Sequence, residues 1–167
     1  MMGYLIGIPL MALLAVLQTT VLGQFRLLEG APDLILLAII AWSLTGRSRQ
    51  AMALGLIGGV LLDTLSGYPL GVSSIILVLV AYLVSLSEVR FWEAHFLIPL
   101  AAVLLGSAVF YAGNLAALAA LGRSPDLGLA LARVILPGTF LNLVLALPAS
   151  QAAQTVEAAL YPPEVGI

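Results

Sequence analysis

The sequence predicts an all-α membrane protein, a single domain built as a bundle of six transmembrane helices. Two observations predict it. The first is composition: of 167 residues, 62% are hydrophobic and 8% charged, with a mean hydropathy of +1.17. Soluble domains carry about a quarter charged residues, so this chain has too little polar surface to cover itself in water. The second is punctuation. Apolar runs of near-spanning length alternate with short connectors rich in charge, glycine and proline.

A spanning helix needs about 20 mostly apolar residues. No charge occurs before Arg26, and residues 4–23 form the first span. The N-terminus lacks a basic n-region, and Leu17-Gln-Thr-Thr-Val-Leu-Gly23 is a poor cleavage site, so this run is read as a retained helix. The connector Arg26-Leu-Leu-Glu-Gly-Ala-Pro-Asp33 follows. Pro32 and Asp33 mark a helix start, because proline suits the first turn and a carboxylate suits the positive end of the helix dipole. The second span, 32–46, is short at about 15 residues, or roughly 22 Å. It must stand nearly perpendicular or thin the bilayer locally.

Gly46-Arg-Ser-Arg-Gln50 is a polar turn, and the third span covers 51–65 with Gly55, Gly58, Gly59 and Asp63. A second turn, from Ser66 to Gly71, leads into the fourth span at 72–87. Glu88-Val-Arg-Phe-Trp-Glu-Ala-His95 is a charged, aromatic connector of the kind found at membrane–water interfaces. The fifth span is 96–121, Gly122-Arg-Ser-Pro-Asp126 is a loop, and the sixth span is 127–147, ended by Pro148. An even number of spans puts both termini on one face. That face collects Arg47, Arg49 and Arg90 against Arg26 and Arg123 opposite, and the positive-inside rule makes it cytoplasmic.

Several functions are excluded by residue type. The chain has no cysteine and one histidine, His95, which rules out disulfides, thiolate chemistry and a His-rich metal cluster. A net charge of −2 leaves no basic footprint for nucleic acid. No nucleophile elbow, phosphate loop or zinc motif occurs, so neither catalysis nor a cofactor is expected. Glu88, Glu93 and His95 read as a solvated interface connector.

The informative charges lie inside apolar stretches. Asp63, near the end of the third helix, is costly at bilayer depth unless paired, hydrated or interfacial. It reads as a relay, a ligand contact or a contact with another protein, or else as an interfacial residue that caps the Ser66–Gly71 turn or pairs with Arg133, the other charge in an apolar run. Gly55 and Gly59 form a small-xxx-small face, and Ala112, Ala116 and Ala120 form another. Such faces admit close helix approach, within the bundle or with another protein. Asn114 and Asn142 are single amides that bond a neighbouring helix or a ligand.

The stretch from Pro32 to Gly71 carries a resemblance. Pro32-Asp-Leu-Ile-Leu-Leu-Ala-Ile-Ile-Ala-Trp42, then Arg47, Gly55-Leu-Ile-Gly-Gly-Val-Leu-Leu-Asp63 and Gly67-Tyr-Pro-Leu-Gly71 resembles the rod shape-determining protein MreD family. The resemblance implies a fold similar to the S-components of energy-coupling-factor vitamin importers. It also implies a bacterial inner-membrane location and a non-catalytic role in cell elongation and peptidoglycan synthesis. The implied partners are MreC, the elongation transpeptidase, RodA and MreB. Pro32, Asp33, Gly55, Gly59, Asp63, Gly67, Pro69 and Gly71 carry over as signature positions. A vitamin-binding importer subunit is the competing expectation, and its pocket would require convergent polar groups.

Overall fold

The computed structural model describes residues 2–22, 30–86, 96–123 and 125–162. The charged connector 88–95 and the charges Arg26 and Glu29 lie outside the described residues. Among those described, all regular structure is helical except for one isolated bridge residue, Gly30. The elements in order are α1 (Met2–Val16), a first π-helical segment (Leu17–Leu22), α2 (Leu34–Leu44), α3 (Ser48–Ser66), α4 (Val72–Leu86), α5 (Leu97–Ala120), α6 (Leu127–Ala130), a second π-helical segment (Leu131–Ile135) and α7 (Leu136–Leu160). Among the described residues, three stretches are long and apolar enough to cross a membrane: Gly3–Thr20, Leu97–Ala120 and Leu127–Leu160. Large side chains such as Leu5, Leu105 and Ile75 face outward. An aqueous protein hides residues of this kind, and a bilayer covers them.

α2 sits at the centre. Eight of its 11 residues are buried, and α1, α3, α4, α5 and α7 all pack against it. It is apolar on every face, as a helix enclosed by other helices must be. Its 11 residues rise only about 16 Å. The second helix is therefore shorter than the 32–46 expected, and neighbouring helices rather than lipid surround it.

α3 and α4 form a close hairpin, because glycine lets two backbones touch. Gly55 lies against the backbone of Leu77 and Val78, and Gly59 against the backbone of Ser74. The Ser74 hydroxyl donates to the Leu56 carbonyl at 3.0 Å across the gap. On the next face, Gly58 receives Ile35 and Met11. The glycine face of α3 is therefore filled by this chain's own helices.

The last helix runs to Leu160 instead of stopping at 147. Pro148 removes its own amide donor and crowds the carbonyl four residues back, but the Ala- and Gln-rich segment that follows strongly favours helix and the helix continues through it. With α6 and the π segment it makes a continuous apolar run of 34 residues, about 51 Å long, against a hydrocarbon core of about 30 Å. Its end is fastened at the turn before α3. Arg47 donates from Nε to Glu157 at 2.9 Å, pairs with it through a second nitrogen at 2.7 Å, and lies 3.2 Å above the Tyr161 ring. Gln50 donates to the Tyr161 hydroxyl at 2.7 Å and accepts from the Trp42 indole at 3.3 Å. Gly3 abuts Gln50 and Tyr161, so the start of α1, the end of α7 and the α2–α3 turn share one end of the bundle. The Arg47 and Glu157 side chains are 29% and 26% exposed, so water screens their attraction. Glu157→Ala is expected to cost no more than about 1 kcal/mol, read as a thermal shift of a few degrees at most in detergent.

Candidate functional site

At the opposite end of the bundle, polar side chains from four elements meet around Asp33. The first π segment brings Gln18 inward. The wider π turn misaligns the ordinary helix ladder, and Thr19 and Thr20 donate to the carbonyls of Ala15 and Val16 there. Gln18 then bridges to the start of α2. Its amide nitrogen donates to Asp33 Oδ1 at 3.0 Å, and its amide oxygen accepts from the Ile35 N–H at 3.2 Å.

Asp33 stands at the N-terminal boundary of α2 but makes no side-chain cap bond to its own helix. Its Oδ2 accepts from the Tyr111 hydroxyl of α5 at 2.5 Å. Its backbone N–H donates to Asn142 of α7 at 2.8 Å, and Asn142 donates onward to Ser107 at 3.3 Å. Among the described residues no buried side-chain nitrogen or oxygen lacks a partner. In hydrocarbon that completeness matters, since an unsatisfied polar group costs several kcal/mol. The network ties the first π segment, α2, α5 and α7 together.

A cavity of about 340 Å³ opens beside this network. Gln18, Asp33 and Tyr111 contribute polar groups to its wall, and Ser66, Tyr68 and Asn114 contribute more. The remainder is mostly apolar, including Leu62, Phe110, Leu118 and Val134. Asn114 returns its amide hydrogens to the Phe110 carbonyl of its own helix at 2.8 Å. Burial raises the Tyr68 phenol above its ordinary value; nearby Arg123 opposes the rise and Asp63 adds to it.

Asp63 lies beneath the turn that edges this cavity and is fully buried. Its Oδ2 accepts from the Gly71 N–H at 2.8 Å, and both oxygens lie 3.2 Å from the Ser73 N–H. These bonds place a carboxylate on the exposed amides at the start of α4, where the helix dipole favours negative charge. Gly67, with φ 67°, ends α3 in the left-handed region, and Gly71 follows with φ 97°. Side chains rarely adopt that region, so glycine is required at both positions. Pro32 is buried, whereas Pro69 is exposed in the turn.

Of the positions singled out from sequence, the fold gathers Asp33 with Asn142, and Asp63 with Gly71. Asp63 accepts hydrogen bonds from Gly71 and Ser73, and Arg133 lies exposed on the second π segment. The sequence reading passed over Gln18, Ser107 and Tyr111. Gln18 carried a usable signal as the first amide side chain in a run otherwise free of strongly polar groups. Ser107 and Tyr111 carried none, since both are ordinary residues in apolar helices.

The family model described as rod shape-determining protein MreD matches residues 1–149. No curated protein matches, and no solved structure does.

Proposed function

The chain belongs to the MreD family of rod shape-determining proteins, and from that premise we propose that it is a non-catalytic membrane scaffold of the cell-elongation machinery that binds the single helix of MreC. The observation that carries this reading is the outward face of α5. Ala101, Ala108, Ala112, Ala116 and Ala120 are all exposed and succeed one another at helical spacing on one side. Small residues on a lipid-facing helix admit close approach by a partner helix. The glycine face of α3 has no such vacancy, because α4 fills it. Through MreC the scaffold would serve the elongation transpeptidase, RodA and MreB, and so peptidoglycan synthesis.

The same reading includes a six-span bundle in the bacterial inner membrane, similar to an S-component, with both termini cytoplasmic. In support, Gly3, Tyr161 and the turn carrying Arg47 and Arg49 share one end, and cationic connectors face the cytoplasm. Co-expression with MreC tests the scaffold. The two proteins are expected to co-purify, and the double variant A112L/A116L to lower recovery about tenfold, the equivalent of 1.4 kcal/mol. Recovering no MreC with the unaltered chain, in a detergent that preserves other complexes, would overturn the proposal.

A second reading, a vitamin-binding importer subunit, draws on the cavity, whose volume falls in the range of small-ligand sites. Its largely apolar wall suits a water-soluble vitamin poorly. Purified protein carrying a stoichiometric vitamin would reverse this ranking.

A further inference from the structure

We propose that the cavity beside Asp33 is a binding site for a neutral, hydroxyl-headed amphiphile drawn from the bilayer. This goes beyond partner binding and does not depend on it. Four observations converge on the cavity.

The wall offers both kinds of chemistry that an amphiphile needs. Leu62, Phe110, Leu115, Leu118, Val134 and Ile135 supply apolar surface. Gln18, Asp33 and Tyr111 supply polar groups, and Ser66, Tyr68, Ser73 and Asn114 add more.

The polar lining has accepting capacity left. A carboxylate oxygen accepts two hydrogen bonds. Side-chain donors supply one to each Asp33 oxygen, from Gln18 and from Tyr111. A hydroxyl head can donate to the carboxylate and accept in return.

The charge balance selects against phosphate. Among the described residues that line the cavity there is one carboxylate and no cation. A phosphate head seated at Asp33 would find no cation among the described lining residues, and Arg123 acts on Tyr68 of the turn; like charges in low-dielectric surroundings are costly.

Both π-helical segments border this one space, through Gln18 on one side and Val134 and Ile135 on the other. π turns are strained and concentrate at functional sites. The second of them, with α6, forms a wall in which no residue is buried. Leu127, Leu129 and Leu131 on that wall face outward. A single thin helix therefore separates the cavity from lipid, and the tail of a bound molecule can remain in the bilayer.

The test reconstitutes the full chain in phosphatidylcholine vesicles with a diazirine-bearing monoacylglycerol, followed by irradiation and peptide mapping. Adducts are expected on the segments carrying Leu115, Leu118 and Val134. Excess unlabelled monoacylglycerol is expected to suppress them. A probe with the same tail and a phosphate head is expected to label about tenfold less, the change given by one charged-group interaction. Ala130 lines the cavity and takes no part in the Asp33 network, so Ala130→Phe narrows the space there and is expected to lower labelling by a similar factor. The competition and head-group arms use the unaltered protein, so they decide the matter even where the variant fails to fold. Adducts confined to other surfaces, equal labelling by both heads, or unchanged labelling in a folded Ala130→Phe protein would each overturn the proposal.

Discussion

Gly59→Ala is expected to be among the most damaging single-methyl additions in this chain. A Cβ at position 59 would fall on the Cα and backbone nitrogen of Ser74, closer than real carbon atoms approach. The obstacle is backbone, so no rotamer change relieves it. α3 and α4 must separate, which also lengthens the 3.0 Å bond from Ser74 to the Leu56 carbonyl. Overpacking of this kind costs about 1–3 kcal/mol and occasionally more. For a chain of this size that lowers the melting temperature by roughly 2–4 °C per kcal/mol. Gly55→Ala supplies the internal comparison: its added carbon would meet Leu77 at 3.3 Å, where a few tenths of an ångström suffice. Thermal unfolding in one detergent should rank Gly59→Ala well below Gly55→Ala. Equal melting temperatures would mean that the hairpin is looser than described.

Asp63→Ala is expected to destabilise by a different route. It removes the acceptor for the Gly71 and Ser73 amides in a site with no access to solvent at residue 63. Each buried donor left without a partner costs about 1–3 kcal/mol, so the pair costs several. Asp63→Asn retains one oxygen at the same place and is expected to recover roughly half of the loss. A melt in which Asn and Ala behaved alike would show that charge, and not acceptor geometry, is what position 63 supplies.

These two residues also show how much was legible beforehand. The α3–α4 hairpin could be read because its determinants are local. Gly55, Gly59, Asp63, Gly67 and Gly71 lie within 17 residues of one another, and their backbone requirements follow from residue type. The central place of α2 could not be read. A run such as Leu34–Leu44, apolar on every face, looks the same whether lipid or protein surrounds it. The Asp33 network was hidden for another reason, since its partners Tyr111 and Asn142 lie 78 and 109 residues away. Pro148 reads as a stop by itself, but the helix-favouring residues beyond it and the distant Arg47 anchor outweigh one proline. The even number of predicted spans is what suggests that both termini share a face. It held no sign that the face is fastened by Arg47, Glu157 and Tyr161.

The span between Asp33 and its partners also constrains how the protein is made. When α2 leaves the ribosome, Tyr111 and Asn142 have not yet been synthesised. Only Gln18, already made, can bond Asp33 at that stage; a carboxylate at bilayer depth costs roughly 3 kcal/mol on insertion scales, and 11 residues are too few to cross alone. The nascent α2 therefore has no stable seat until α5 and α7 arrive. The middle of the molecule is finished last, and a chain released before its final helix would hold most of its apolar segments in the membrane around a centre still unformed.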